Sequence, residues 1–372
     1  MNLDTIVSAN TRFGFKLFAQ LAREDAGKNL FISPASVSIA LTLVYNGASG
    51  RTKAALAQTL ELEEMDLDEI NQASGALMEA LQRADPQVRL AIANALWTAE
   101  DVPFRPAFIR HLQDAYDAEI AEVDFSDPTT LALINDWVRE QTAGKIKSIL
   151  SKLDPLALLV LVNAIYFKGK WTRPLDEENT RDGPFTLLDG SRKTLPMMSQ
   201  SGSYQFYRGR GFQAVRLPYG EKRTAMYVFL PDHSSSLDEF QKRLTAENWH
   251  VWMSRFRRME GSIVLPRFKL EYGKKLNGTL AALGMGIAFG SRADFSAMCD
   301  MPSYISKVIH KTFVEVNEEG TEAAAATVVT MAKAVMMPQE TFRMVVDRPF
   351  FCAIRDDRTG ALLFMGSIVE PE

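Results

Sequence analysis

The sequence has few of the residues on which metal sites and disulfide frameworks depend. Its 372 residues include two cysteines and four histidines. Cys299 and Cys352 are far apart and not in a CxxC spacing, and no histidine lies in an HExxH motif or an equivalent metal-binding spacing. We therefore expect no structural disulfide, no metal site and no cofactor.

The sequence motifs of the common enzyme classes are missing as well. The chain contains no GxSxG elbow, no Walker loop and no GxGxxG fingerprint. The glycine-rich stretch LGMGIAFG, residues 283–290, lacks the strand–loop–helix context that would place backbone amides around a phosphate. Without a candidate nucleophile, base or metal cluster, the sequence indicates a protein that is not an enzyme.

Neither sign of charge is in large excess, and no long hydrophobic run occurs. The formal net charge is -4, which argues against nucleic-acid and anionic-membrane partners. Arg255, Arg257 and Arg258 form the densest basic cluster, which we interpret as a solvated edge. The longest apolar run, LALLVLV, is too short to cross a bilayer.

The first residues, MNLDTIVSANTRFGFKLFAQLA, contain no basic leader followed by a continuous apolar run. We therefore expect no signal peptide. The chain would then be cytoplasmic, or secreted with its signal already removed. Phe13, Leu17 and Leu21 recur at helical spacing, which predicts an amphipathic helix at this end.

What the sequence does contain is a helical first third followed by strands. Hydrophobic periodicity predicts helices over residues 5–23, 33–47, 52–60, 69–84, 105–116 and 130–142. It predicts strands over residues 91–98, 156–168, 193–198, 214–218, 224–230, 261–266, 268–272, 348–355 and 362–368. This order is typical of an α+β fold with large antiparallel sheets.

One segment fits neither pattern. Residues 318–342 read EEGTEAAAATVVTMAKAVMMPQETF, in which a helix-favouring, alanine-rich half precedes a β-branched half. In strand geometry one face would carry small residues first and larger ones later, namely Thr321, Ala323, Ala325, Thr327, Val329 and Met331. The other face would begin with Glu322, Ala324 and Ala326.

Six motifs occur in order along the chain. They are NLFISPASVSIALTLVYNGASGRT (29–52), INDWVREQTAGKI (134–146), LVNAIYFKGKW (161–171), LPRFKLE (265–271), VNEEGTEAAAAT (316–327) and DRPFFCAIRDDRTGALLFMGSI (347–368). Together they resemble the serpins, a family of serine-protease inhibitors that trap proteases by a conformational change. The resemblance implies a single serpin domain over residues 1–372, with three β-sheets, eight or nine helices and a mobile reactive-centre loop.

The resemblance assigns residues 318–342 to the hinge and reactive-centre loop of an inhibitory serpin. The hinge would comprise Glu318, Gly320, Thr321, Glu322, Ala323, Ala324, Ala325, Ala326 and Thr327. After a protease cuts the loop, the hinge would enter the main sheet as a new strand, and the protease would stay attached. The implied partner is a serine protease in a covalent 1:1 complex with a monomeric inhibitor.

The position of the reactive bond also follows from the resemblance. Inhibitory serpins usually place the residue before the cut fourteen positions after the hinge glycine, which here is Ala334, so the bond is Ala334–Val335. A small apolar residue there would suit an elastase-like or subtilisin-like protease. The alternative bond Lys333–Ala334 would suit a trypsin-like protease, and Met336 and Met337 are candidates for chymotrypsin-like enzymes.

Further residues match family positions that control insertion. The polar cluster beneath the centre of the main sheet is matched by Ser33, Ser36, Asn163 and His310. Trp171 matches the tryptophan where insertion begins, and Arg267 and Glu318 match a basic and acidic pair near the base of the loop. For each of these residues, ordinary packing is the alternative interpretation.

A non-inhibitory serpin, acting as a carrier, storage protein or chaperone, is the second class of function. Such members commonly have bulky, charged or proline residues in the hinge, whereas residues 321–327 have none besides the outward-facing Glu322. Activation by heparin would need a basic helix face. Residues 69–86 contain Arg83 as their one cation against several acids, so we do not expect heparin binding.

Overall fold

The computed structural model describes residues 3–102, 104–321 and 340–372, and nine α-helices lie within these ranges. They are α1 (Asp4–Glu24), α2 (Pro34–Gly47), α3 (Gly50–Leu60), α4 (Leu67–Gln82), α5 (Pro106–Tyr116), α6 (Pro128–Gln141), α7 (Leu237–Gln241), α8 (Ala246–Met253) and α9 (Asn277–Ala282). Two 3-10 helices cover Glu177–Asn179 and Met285–Phe289. No helix in the described ranges is long and apolar enough to cross a membrane.

Fifteen strands occur in the same ranges. They are β1 (Leu30–Ile32), β2 (Val88–Ala99), β3 (Glu119–Val123), β4 (Leu159–Lys170), β5 (Arg181–Thr186), β6 (Arg192–Gly209), β7 (Phe212–Pro218), β8 (Thr224–Pro231), β9 (Arg257–Pro266), β10 (Phe268–Lys275), β11 (Lys307–Val316), β12 (Gly320–Thr321), β13 (Thr341–Val345), β14 (Phe350–Asp356) and β15 (Leu362–Ile368). The predicted α+β class and the predicted number of helices are confirmed.

The smaller sheet has six strands, and β4 lies near its centre. Its order is β10-β11-β4-β2-β3, and β12 pairs with the end of β4. β2 is antiparallel to β4, whereas β11 is parallel to it, with Lys307 opposite Val160 and Phe313 opposite Tyr166. β4 is buried on both faces over most of its length, as its continuous apolar sequence predicts.

The remaining strands form one hydrogen-bonded network in the order β1-β15-β14-β8-β7-β6-β9-β13, with β5 paired to β6. The resemblance implies three sheets, but hydrogen bonding in the described residues joins the strands into two networks. The physical reason is the length of β6. It has 18 residues and pairs with β5 at its beginning, with β9 along its middle and with β7 at its end.

Alternate residues of β4 face two different hydrophobic cores. Leu161 and Phe167 lie in the large core, which α1 and α2 share with the larger network. Val162 and Ala164 face a second, smaller core that α6 covers with Ile134 and Val138, among others. Because side chains of a strand alternate between its faces, odd-numbered residues of β4 face the large core and even-numbered residues face α6.

The beginnings of α2 and α6 follow from sequence signals for helix capping. Ser33 accepts a hydrogen bond from the backbone N–H of Ser36, and Pro34 occupies the first turn of α2. Asp127 caps α6 in the same way, with Pro128 in its first turn. The cap of α2 is buried, so it brings two serine side chains beneath the sheet.

Candidate functional site

β4 has two successive partners along the edge that faces β11. From Val160 to Tyr166 it pairs in parallel with β11. Beyond Tyr166, β12 pairs with the end of β4 in the antiparallel direction, with Thr321 opposite Gly169. Because β2 occupies the other edge of β4 at Gly169, β12 must lie on the β11 edge. The beginning of the predicted hinge thus already lies between the separating ends of the two strands.

A tight turn joins β11 to β12. The backbone N–H of Asn317 donates to the carbonyl oxygen of Gly320 (2.9 Å), and the Asn317 Oδ1 atom accepts from the backbone N–H groups of Glu319 (3.1 Å) and Gly320 (3.2 Å). Gly320 has a φ of +144°, and a Cβ atom there would lie 2.1 Å from the carbonyl oxygen of Gly169. The position therefore requires glycine for both its backbone conformation and its close approach to β4.

Trp171 holds this turn against the end of β4. Its indole N–H donates to the carbonyl oxygen of Asn317 (2.9 Å), and its backbone N–H donates to that of Glu319 (2.9 Å). The indole ring is buried and stacks on Tyr219, with 4.3 Å between ring centroids. Trp171 thus fixes the turn at the point where the hinge begins.

Glu318 lies in the same turn and is buried, with 2% of its side chain exposed, whereas its partner Arg267 is 46% exposed. The Oε1 atom of Glu318 accepts hydrogen bonds from Arg267 Nη2 and from Thr180 Oγ1, each at 2.6 Å. Burial raises the pKa of Glu318, but these hydrogen bonds and the Arg267 charge outweigh burial and hold its pKa below the usual range. The carboxylate is therefore charged at neutral pH.

A second group of predicted residues meets where β11 and β4 are paired. We call Ser33, Ser36, Asn94, Asn163 and His310 the central polar cluster. All five residues are buried. Asn163 Nδ2 donates to Ser36 Oγ and to Asn94 Oδ1, each at 2.6 Å. Asn163 and His310 are opposite each other across the β4–β11 interface.

The hydrogen bonds of His310 determine its tautomer. The backbone N–H of Ser33 donates to His310 Nε2 (3.1 Å), so the ring proton is on Nδ1, which donates to Asn163 Oδ1 (2.6 Å). Complete burial lowers the pKa of His310 to about 3. The imidazole is therefore neutral at physiological pH, and the cluster contains no charge.

The structure thus brings the predicted insertion residues together in two groups. Ser33, Ser36, Asn163 and His310 meet in the central polar cluster, while Trp171, Arg267, Glu318 and Gly320 meet around the turn. The two groups are separated by about seven residues of β4, or roughly 23 Å. The predicted range 318–342 is not all loop, since β12 ends at Thr321 and β13 begins at Thr341.

Glu322, Ala323, Ala324, Ala325, Ala326, Thr327, Lys333, Ala334 and Val335 lie outside the described residues.

Sequence reasoning missed four residues that complete these groups: Asn94, Thr180, Tyr219 and Asn317. Asn94 had a visible signal, because it is a polar residue within the apolar strand sequence LAIANALW. Thr180 and Tyr219 lie in stretches without helical or strand periodicity. Their partners, Glu318 and Trp171, are distant in the sequence. No local pattern in the sequence marks them.

The whole-chain comparisons agree with this geometry. Residues 8–371 match the family model for Serpin (serine protease inhibitor). The chain belongs to the serpin family. The pig (Sus scrofa) leukocyte elastase inhibitor is 38% identical to it, over 99% of this chain and 100% of that protein. Such relatives of this serpin are protease inhibitors rather than catalytic enzymes.

Two solved structures show the same fold. The thermophilic serpin tengpin in its native state has a TM-score of 0.91 and 31% identity, covering 98% of this chain and 94% of that chain. Human thyroxine-binding globulin complexed with thyroxine has a TM-score of 0.92 and 27% identity, covering 100% of both chains.

Gly320→Ala should displace the turn from β4, because the added Cβ atom would overlap the Gly169 carbonyl oxygen at a φ that alanine rarely adopts. We expect a loss of about 3 kcal/mol or more in unfolding free energy, measured by guanidinium denaturation. Gly278→Ala is the matched control, because its new Cβ would meet no atom within 4 Å. Equal midpoints for the two variants would contradict this account of the turn.

His310→Gln should flatten the dependence of stability on pH between 7 and 5. The folded protein keeps His310 neutral down to about pH 3, whereas the unfolded chain takes up a proton near pH 6.5. Stability is therefore lost as the pH falls below 6.5, by about 2 kcal/mol at pH 5. Guanidinium midpoints at both pH values measure the difference between the variant and the parent protein.

His250→Gln is the control for the substitution, because it replaces an exposed histidine outside the central polar cluster. If His310→Gln keeps the pH dependence of the parent protein, the buried imidazole is not the group that titrates on unfolding.

Proposed function

We propose that this serpin inhibits a serine protease as a single-use suicide substrate. The protease serine would attack the Ala334 carbonyl carbon, the Ala334–Val335 bond would break, and Val335 would leave with a free amino group. The protease would remain bonded to Ala334 as an acyl-enzyme. The residues after Thr321 would then enter the sheet between β4 and β11, a β-strand addition of which serpin loop insertion is a known example. The product would be a covalent 1:1 complex with a monomeric inhibitor.

The pairing of β12 with β4 is the observation that carries this proposal. Thr321 lies opposite Gly169 in an antiparallel register on the edge that faces β11. If that register continues, Ala323 comes opposite Phe167, Ala325 opposite Ile165, and Thr327 opposite Asn163. The first hinge residues, Gly320 and Thr321, therefore already have the strand pairing that the proposed insertion would extend.

The hinge sequence suits the environment that this register gives it. Phe167, Ile165 and Asn163 are odd-numbered residues of β4, whose side chains face the large core. Cross-strand neighbours share a face, so the opposite side chains of the inserted strand would also enter this core. Ala323 and Ala325 would come first, and their small side chains would displace the fewest packed atoms.

Thr327 would arrive at the central polar cluster with matching chemistry. A strand between β4 and β11 would separate Asn163 from His310 by about twice the 4.8 Å strand spacing and break their hydrogen bond. A threonine hydroxyl both donates and accepts. Thr327 would therefore accept from His310 Nδ1 and donate to Asn163 Oδ1, so that neither buried group loses a partner.

Insertion would also be favourable for the backbone. It replaces the parallel pairing of residues 307–313 with 160–166 by antiparallel pairing on both edges of the new strand, which is the more stable arrangement. About a dozen additional backbone hydrogen bonds at ~1 kcal/mol each would release on the order of 10 kcal/mol. This free energy would move and distort the protease before water releases it.

The proposed target class is elastase-like or subtilisin-like, because Ala334 would enter a shallow specificity pocket. A relative named leukocyte elastase inhibitor supports this choice. Cleavage after Lys333 by a trypsin-like protease is the alternative. A non-inhibitory carrier is the second candidate function, favoured by the likeness to a thyroxine-binding globulin and opposed by the small residues of this hinge.

Incubation with an elastase-like protease should give a band at the summed mass that survives heat and SDS. The C-terminal fragment that denaturation separates from this complex should begin at Val335, because the acyl bond holds Ala334. Mass spectrometry identifies that fragment. A fragment beginning at Ala334 would move the reactive bond to Lys333–Ala334, and rapid cleavage without a stable band would favour the carrier function.

Ala323→Arg should convert the inhibitor into a substrate, because the guanidinium would have to enter the large core as insertion begins. Cleavage should continue at the parent rate while the SDS-stable band falls at least tenfold. Glu322→Arg is the matched control, since the same group one position earlier would face away from that core. Similar losses in both variants would contradict the proposed register.

A further inference from the structure

Six arginines lie near one another where β6 ends and β9 begins in the larger strand network. This arginine patch consists of Arg208, Arg210, Arg243, Arg255, Arg257 and Arg258. All are exposed except Arg243, which is half-buried. The sequence alone shows three of them as a short cluster, and the fold adds the other three from distant parts of the chain.

The pairing of β6 with its neighbours brings these arginines together. Arg257, the first residue of β9, lies opposite Phe206 on β6. Arg208 follows Phe206 by two residues on the same strand. Arg210 follows in the turn between β6 and β7, and its carbonyl oxygen accepts a hydrogen bond from Arg243 Nη1 (2.5 Å). The positive charges are therefore concentrated on one edge of a chain whose net charge is -4.

No carboxylate in the described part of the chain forms an ion pair with any of the six guanidinium groups. Arg257 donates to backbone carbonyl oxygens, Arg258 donates to Ser203 Oγ, and Arg243 lies over the Phe212 and Trp252 rings. Such contacts hold the side chains in place without neutralising them. The charge of the patch remains available to a partner.

The patch lies where the reactive-centre loop rejoins the sheet. β13 begins at Thr341, which is opposite Glu260 on β9. Arg258 precedes Glu260 by two residues, so its Cα atom is about 8 Å from that of Thr341, given ordinary strand spacing and rise. The C-terminal side of the loop therefore returns beside Arg258, at one end of the patch.

A protease bound at the proposed reactive bond would be close enough to contact the patch. Val335 is six positions before Thr341, with five residues between them, so the cut would be at most about 22 Å from the start of β13. A globular protease of about 230 residues has a radius of roughly 20 Å. The arginines next to β13 are therefore within the range of the protease surface beside its cleft.

We propose that the arginine patch is an exosite for an acidic surface next to the active-site cleft of the target protease. This inference rests on the proposed inhibitory function and adds a property of the target, namely its charge. The net charge of -4 argues against a nucleic acid as the partner. A sulfated polysaccharide is the other possible occupant.

The exosite acts on the rate of association. Complementary charge at the edge of an interface steers encounter and raises the association rate constant, and salt screens this effect. The amount of inhibitor consumed per protease is unchanged, because that ratio depends on the hinge and the reactive bond. The association rate therefore tests the exosite, whereas the stoichiometry and the covalent complex test the proposed inhibitory function.

The test compares two triple variants of equal charge. R255Q/R257Q/R258Q removes three exposed patch charges from the part of the patch next to the returning loop, and R51Q/R110Q/R192Q removes three exposed arginine charges elsewhere. Against an elastase-like or subtilisin-like protease with carboxylates at its cleft rim, the patch variant should associate about tenfold more slowly than the control at 20 mM NaCl. The two rates should converge at 0.5 M NaCl, with equal stoichiometry.

A second arm changes the protease. When its rim carboxylates are replaced by their amides, the parent inhibitor should also slow about tenfold, and the patch variant should lose little more. Equal rates for both triple variants at low salt would overturn the exosite while leaving the inhibitory function intact. A difference that appears only when heparin is added would overturn it in favour of a polysaccharide site. Absence of any covalent complex with the parent protein would overturn both proposals.

Discussion

The hydrogen bond between His310 and Asn163 joins the two strands between which a new strand would have to enter. It is buried, and each side chain is also tied to the beginning of α2, through Ser33 and Ser36. The centre of the sheet can therefore separate only if these polar groups receive new partners, because an unpaired buried polar group costs about 1–3 kcal/mol. This hydrogen bond thus adds a buried side-chain link to the backbone pairing of β4 with β11.

The β4–β11 interface differs between its end near Trp171 and its centre. At the end near Trp171 the strands separate, and the Asn317 turn places the first hinge residues between them. Toward the centre, α6 covers the interface through a second core that contains Val162 and Ile309 from the two strands. Insertion from the open end would disturb that core progressively, and the small residues Ala324 and Ala326 would be the first to face it.

The sequence predicted the elements better than the contacts. All six predicted helices are present with ends within two residues, because helical periodicity and capping residues are local signals. β6 and β9 extend beyond their predicted lengths, since Ser199 to Ser203 lack strand propensity and are held by cross-strand pairing. Asn94, Thr180 and Tyr219 were missed because their roles depend on distant partners, and the residues from the family motifs were found only through the resemblance.

The distribution of charge suits a sheet that is closed in this structure and would open in the proposed mechanism. The central cluster contains only amide, hydroxyl and neutral imidazole groups, which can exchange one hydrogen-bond partner for another at modest cost. An ion pair at that point would leave two buried charges unpaired on separation, a loss of about 3–5 kcal/mol. The charged pair of this site lies at the edge instead, where Arg267 remains half exposed and keeps its hydration if Glu318 moves. The charged pair thus lies where the strands are already apart, and the neutral hydrogen-bonding groups lie where the strands would separate in the proposed mechanism.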